Sequence, residues 1–258
     1  MRQGDNPSGK VFFEIGTGRT PLVPLAYWLM GAERIITIDL NPYLKKELFD
    51  EALKQMLHNS ETTSKLFGSL LVKSRLNSLF EFIQSHQYTL SELLELCQIS
   101  YVAPGDASNT YLPNESIDYH TSYTVYEHIP PKTLIMIIEE GNRIIKDGGL
   151  FINRIDYSDH FAHTDKNISY INFLQYSDNE WKKYAGNRYM YMNRMRHDDI
   201  INLFESVGHT ILETQTDLDH NILKLLRSGT FKLDERYDFK KIDILATRSA
   251  WIISQKLS

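Results

Sequence analysis

Residues 11–21 read VFFEIGTGRTP: a β-prone apolar run, a turn with glycines at 16 and 18, and then Pro21, a residue suited to the first turn of a helix. Gly16 and Gly18 allow backbone to approach a ligand closely, and Glu14 sets a carboxylate beside that approach. The turn is not one of the common phosphate cradles. A P-loop places Lys and then Ser or Thr after its second glycine, where this chain has Arg19, Thr20 and Pro21. A dinucleotide fingerprint needs a third glycine where Pro21 stands, so a nicotinamide cofactor is disfavoured.

Outward from this turn, short β-branched or aromatic runs alternate with helical patterns almost to the end of the chain. That order is expected of βαβ units around a mainly parallel sheet, an α/β fold. Seven strands are expected, over 11–15, 34–39, 99–103, 117–122, 150–155, 210–215 and 249–254. Pro131 opens a helix over 131–146 that Asp147, Gly148 and Gly149 end. Another helix spans 198–207, with Leu203 and Phe204 on its apolar stripe and Gly208 as its stop. Two stretches are longer than simple crossovers. The first, about 44–98, carries Leu66, Leu70, Leu76, Leu79, Phe80 and Ile83 at helical spacing, and Thr89 with Glu92 forms a capping-box pattern. The second, 157–197, is rich in Tyr, Phe and Trp. No repeat, low-complexity tract or linker divides the chain, so both read as elaborations of one domain spanning 1–258.

Two further acids follow the next two strands. A carboxylate at Asp39 can accept hydrogen bonds from both hydroxyls of a ribose, each worth roughly 1.5–3 kcal/mol. In "PGDAS", residues 104–108, Asp106 can take an exocyclic amine of adenine while the Ala107 N–H faces a ring nitrogen. With Glu14, three acids after three successive strands would line one crevice at the carboxyl ends of a parallel sheet, where such folds bind ligands.

At these residues the chain resembles the class I S-adenosylmethionine-dependent methyltransferases. The family's first motif, an acid and then glycines at alternate positions, is similar to Glu14 through Gly18, with Thr20 where many members have a third glycine. The ribose acid corresponds to Asp39 and the adenine-side acid to Asp106. "IDYHTSYTVYEHIP", residues 117–130, resembles the fourth strand and the start of the following helix, and "IIKDGGLFINRI", residues 144–155, resembles the next turn and strand five. The resemblance covers about 11–155. It implies a three-layer Rossmann-like α/β domain with a seven-stranded, mainly parallel sheet whose last strand is antiparallel, a helical insertion after strand two and an aromatic-rich insertion after strand five. It also implies S-adenosylmethionine as cofactor, held by Glu14, Gly16, Thr17, Gly18, Asp39, Leu40, Asp106, Ala107 and Ser122. The activity implied is methyl transfer to a small or medium acceptor.

Displacement at a sulfonium needs alignment and water exclusion, and an oxygen acceptor also needs a base. His128, which follows Glu127 after strand four, is one candidate, or the pair merely starts the next helix. "DYSDHFAHTD", residues 156–165, supplies Asp156, Asp159, His160 and His163 as the others, with Asp165 beside them; these side chains read alternatively as metal ligands or, since Asp and Ser are ordinary turn formers, as loop hydrogen bonding. In the branch of the family that methylates ubiquinone precursors a similar Glu-His pair holds a divalent metal together with an upstream acid. That upstream position is Thr124 here, so no metal is expected. The aromatic stretch reads as an acceptor wall or as the core of an inserted subdomain. Arg188, Arg194 and Arg196 read as a clamp for an acceptor anion or as a solvated face paired with Asp198 and Asp199. The helices at 44–97 read as a water-excluding lid or as a homodimer surface. Asn41 and Pro42 are expected to cap the next helix, because the signature they imitate, that of amino-methylating enzymes, belongs after strand four.

The chain has 258 residues and a net charge of -5, which gives no global attraction to nucleic acid; DNA is not expected and RNA is disfavoured. Cys97, the only cysteine, excludes internal disulfides and Cys-rich zinc sites and reads as a core residue. The longest weakly polar run, 21–32, is too short to span a bilayer, and the N-terminus lacks secretory features, so a cytoplasmic location without membrane contact is expected. The acceptor is expected to be a small molecule or glycan-like. The alternatives are an RNA methyltransferase and a non-catalytic module that keeps the fold.

Overall fold

A computed structural model describes residues 6–85, 87–185 and 191–257. Strand β1 (Val11–Ile15) is buried along nearly its whole length, as a strand with both faces covered must be. It pairs in parallel with β2 (Arg34–Ile38), Glu14 opposite Thr37, and β2 pairs in parallel with β3 (Ile99–Val102). The remaining strands are β4 (Ile117–Tyr123), β5 (Ile145–Asp156), β6 (His209–Leu218) and β7 (Thr247–Lys256). Their order is β3-β2-β1-β4-β5-β7-β6, with β7 antiparallel to both β5 and β6. The expected fold is therefore present: a seven-stranded mixed sheet, mostly parallel, its last strand antiparallel, flanked by helices. No helix among the described residues is long and apolar enough to cross a membrane.

The chain divides into two compact units, 1–121 with 140–149, and 122–139 with 150–258. In the first, Phe12 stacks between Tyr27 and Tyr119, with ring centroids 4.3 and 4.7 Å away. Helix α1 (Leu22–Leu29) follows the glycine turn, and Arg75 donates to the carbonyls of Trp28, at the end of that helix, and of Ala32, in the turn beyond it. The expected helical insertion comprises α2 (Lys46–His58), α3 (Ser60–Phe67), α4 (Lys73–Ser85) and α5 (Leu90–Leu96). Thr89 and Glu92 form the capping box read from the sequence. Two details differ. The apolar stripe is not continuous: Gly68 adopts φ +55° after α3, leaving Leu66 and Leu70 exposed while Leu76 and Leu79 are buried. Asn41 and Pro42 do not cap a helix either, since α2 starts at Lys46; the Asn41 amide donates to the Tyr43 hydroxyl instead. Cys97 is a core residue as expected, and burial pushes its thiol up to about 12.

Helix α6 (Pro131–Ile144) ends earlier than its pattern suggests, and β5 begins directly at Ile145. The reason is local. The Ser116 and Glu115 N–H groups take the carbonyls of Ile144 and Arg143, ending the helix ladder before the glycines are reached. Gly149 is needed for a different purpose: a Cβ there would lie 2.9 Å from the Asp118 carbonyl oxygen.

The second unit contains α7 (Phe161–Thr164), α8 (Asp178–Ala185), α9 (His197–Ser206), α10 (His220–Arg227) and α11 (Ile242–Ala246). Much of the aromatic stretch is its core. Phe173 and Trp181 are buried with Ile222, Leu223 and Tyr237, and Phe161 and Tyr176 pack against them. The arginines correct both sequence readings. Arg196 is fully buried and donates to the backbone carbonyls of Tyr157, Leu245 and Thr247. Arg194 is likewise buried and donates to the carbonyls of Phe173 and Tyr176 and to Asp178. Asp198 and Asp199 pair with the buried Lys240 rather than with an arginine. These guanidiniums hold chain crossings that lie far apart in sequence, which no local pattern encodes. Arg188 lies outside the described residues.

Candidate active site

In the first unit the glycine turn is stitched to the two neighbouring strands through Asp39. Gly16 adopts φ +83° and donates its N–H to the Ile38 carbonyl at 2.9 Å. Gly18, at φ +69°, donates to Asp39 Oδ2 at 3.0 Å. Both are in the left-handed region, where glycine carries no steric penalty. The Asp39 N–H reaches the Val102 carbonyl at the end of β3, and the Asp39 carbonyl accepts from Gly105. Thr17 and Thr37 are buried and share a hydroxyl hydrogen bond.

Charge in this region is poorly compensated. Glu14 is 1% exposed, and its Oε2 has no hydrogen-bond partner. Burial, and then the Asp39 charge, hold its carboxyl well above the usual carboxylate range. Burial raises Asp39 to about 6, against the opposing bonds from the Gly18 N–H, Tyr101 and Thr17. Asp106 is exposed, with one oxygen accepting from the Ser108 N–H and hydroxyl. Ala107 is buried and Leu40 is largely exposed. Hydrogen bonds thus join the Glu14-to-Gly18 turn and Asp39, and Gly105 joins the Asp106 loop to them. Ser122 falls in the second unit, where its hydroxyl donates to Asn153 Oδ1 at 2.9 Å.

The second unit gathers four of the five candidate acid-base residues. The His128 and His160 rings meet edge to face at 4.8 Å, and His160 and His163 lie 4.7 Å apart. Asp156 Oδ2 is 3.7 Å from His160 Nε2 and 3.8 Å from His163 Nε2. Asp156 Oδ1 accepts from the Ser158 N–H and hydroxyl at 2.8 and 2.6 Å. Burial opposes ionisation of Asp156, but its hydrogen bonds prevail and bring it to about 2, so it is an anion at neutral pH. With its hydrogen directed at Asp156, the Ser158 hydroxyl accepts a hydrogen bond from His163 Nε2 at 2.9 Å. His128 Nδ1 lies 2.9 Å from the Tyr191 carbonyl oxygen, which can only accept, so Nδ1 bears the proton and Nε2 keeps its lone pair. Burial lowers the pKa of both His128 and His163, which favours neutral imidazoles.

Asp159 is set apart from this group. It is fully buried, with its oxygens accepting from the Phe161 N–H and the Asn172 amide, and burial raises its pKa. Glu127 is 3% exposed with neither carboxylate oxygen hydrogen-bonded, and burial pushes it to about 8. Donor atoms of Glu127, His128 and His160 lie within 4.8 Å of one another, as do those of Asp156, His160 and His163, so either set can hold a metal ion.

No protein-family model and no curated protein sequence matches the chain. Solved structures do. An S-adenosylmethionine-dependent methyltransferase from Mesorhizobium loti superimposes with a TM-score of 0.52 at 11% identity, over 98% of this chain and 93% of the other. A proposed methyltransferase from Bacillus halodurans gives 0.51 at 15%, over 97% and 94%. Phosphoethanolamine N-methyltransferase 2 of Haemonchus contortus, solved with S-adenosylmethionine, gives 0.50 at 14%, over 100% of this chain and 51% of that one.

The fold is that of the class I S-adenosylmethionine-dependent methyltransferases.

Within this methyltransferase fold, several residues that shape the site escaped the motif reading. A Cβ on Gly105 would sit 2.6 Å from Ile38 Cγ1, so any side chain there would force Ile38 or the loop after β3 to shift. Its signal, a glycine directly before Asp106, was present in "PGDAS". The Tyr101 hydroxyl accepts from the Tyr43 N–H and so anchors the segment after β2; nothing in its local sequence marks that role. Ser158 links Asp156 to His163, a relay whose only sequence signal is three polar residues spaced around one turn.

Proposed function

We propose that the chain is an S-adenosylmethionine-dependent methyltransferase that acts on a hydroxyl of a small or medium acceptor, glycan-like or natural-product-like. The observation that carries the cofactor reading is Glu14: a buried carboxylate, one oxygen unpartnered, beside a left-handed glycine turn that Asp39 braces. An uncompensated carboxylate in that setting suits the α-ammonium of a methionine moiety. Asp39 would accept the ribose hydroxyls, and Asp106 with the Ala107 N–H would meet the adenine edge, with Leu40 beside them. When bound, the cofactor supplies a methyl group on a sulfonium. The chain's own task is then to orient the acceptor, exclude water and take the hydroxyl proton.

His163 is the base best placed for that proton. Its Nε2–H donates to Ser158, and Ser158 donates to the Asp156 anion, so Nδ1 keeps its lone pair and an imidazolium, once formed, is stabilised through the relay.

The test is radiolabelled methyl transfer from S-adenosylmethionine to panels of sugars, phenols and amines. Label is expected on hydroxyl acceptors, with transfer at limiting cofactor lowered at least tenfold in Asp39→Ala. His163→Gln is expected to lower turnover at least tenfold and to remove one limb of the pH-rate profile. Transfer confined to amines, or a pH profile identical in His163→Gln, would sink the hydroxyl reading.

A further inference from the structure

The second unit contains a set of donors whose bonding is incomplete. Both oxygens of Glu127 are buried without a hydrogen-bond partner, and so is Nε2 of His160. A buried carboxyl with neither oxygen satisfied gains the partner it lacks when a cation binds. His128 has the arrangement typical of a metal-bound imidazole: Nδ1 is pinned to the Tyr191 carbonyl, which fixes the tautomer and presents Nε2. His160 Nε2 and Asp156 Oδ2 are 3.7 Å apart, too far for a hydrogen bond.

We propose that Glu127, His128 and His160 bind one divalent transition-metal ion of the zinc type, with Asp156 bordering the site. Two imidazoles and a carboxylate are the donors of zinc and of non-haem iron, whereas magnesium and calcium take oxygen ligands. Three protein ligands leave a coordination position open, as in catalytic rather than structural zinc sites. The sequence offered no third donor upstream of the Glu-His pair, where Thr124 stands; the fold supplies one from beyond strand five, at His160. If the methyltransferase reading holds, and only then, the open position receives the acceptor's oxygen and lowers its pKa, so that His163 takes a more acidic proton.

The experiment uses the tag-free full chain, stripped with a chelator. It is titrated with zinc chloride in competition with a chromophoric chelator, and separately with cobalt(II) followed by its visible d–d bands. One ion per chain is expected, with bands of four- or five-coordinate nitrogen and oxygen ligation. Glu127→Gln and His160→Ala should each weaken binding at least tenfold, whereas His58→Ala at the end of α2 should not change it. Every variant is also titrated with S-adenosylhomocysteine as a check on folding, and the near-isosteric Glu127→Gln decides the matter if His160→Ala does not fold. Substoichiometric zinc, or binding within twofold of the parent in Glu127→Gln, overturns the site. One tight zinc without any S-adenosylhomocysteine binding would instead overturn the methyltransferase reading and leave the metal site standing.

Discussion

A carboxylate as enclosed as Glu14, with one oxygen unpartnered, favours folding only while it holds its proton. Its folded pKa lies well above the ordinary value of 4.5, so the folded chain binds that proton more tightly than the unfolded chain does. The contribution is complete below pH 4.5 and is lost as pH rises through the folded value. Glu14→Gln should therefore stabilise the ligand-free chain at pH 8, by about 1–3 kcal/mol, and flatten the fall in stability above pH 4.5. It should also weaken S-adenosylhomocysteine at least tenfold. Urea unfolding across pH reads the first effect and calorimetry the second; a destabilised variant at pH 8 would contradict the account. Arg196 gives a contrasting case, a buried charge that donates three hydrogen bonds to backbone carbonyls through two nitrogens, while its Nε has none. Lysine cannot fork to three carbonyls, so Arg196→Lys should cost about 2–4 kcal/mol. A thermal midpoint equal to the parent's would refute that role. Glu14 and Asp39 were legible because their partners lie in one motif and one strand spacing. Arg196 was not, because its partners sit at 157, 245 and 247 and are backbone atoms.

At the scale of elements, the loop after β3 lies against β2 because Gly105 has no side chain. A Cβ there would meet Ile38 Cγ1 at 2.6 Å and Val102 Cγ1 at 3.0 Å. Ile38 precedes Asp39, whose carbonyl accepts from Gly105, so the strain falls on the end of β2. Gly105→Ala should cost about 1–3 kcal/mol and weaken S-adenosylhomocysteine severalfold; an unchanged midpoint together with unchanged affinity would show that the loop yields freely. Strand cores and the Thr89 capping box were readable, since short β-branched or aromatic runs and caps are local signals. The boundary between α6 and β5 was not. It is set by the Glu115 and Ser116 N–H groups, which belong to the segment before β4.

For the whole molecule, alternation of strands and helices was enough to indicate the α/β sheet and its seven strands, and the order β3-β2-β1-β4-β5-β7-β6 came only with the structure. The glycine turn and the acids after β2 and β3 were legible as a pattern because they are consecutive or follow successive strands. The acid-base cluster was visible only as a list of candidates. Asp159 sits in the same ten residues as Asp156, yet it is engaged by Phe161 and Asn172 in the interior, while Asp156 joins the histidines. Glu127 became conspicuous only when burial left both its oxygens unbonded. Whether the first unit holds S-adenosylmethionine is decided by titration calorimetry of the full chain with S-adenosylhomocysteine, NAD and ATP, repeated on Asp39→Ala. Selective binding of S-adenosylhomocysteine is expected, weakened at least tenfold, about 1.4 kcal/mol, in the variant. No binding, a preference for NAD, or an affinity indifferent to Asp39 would contradict it.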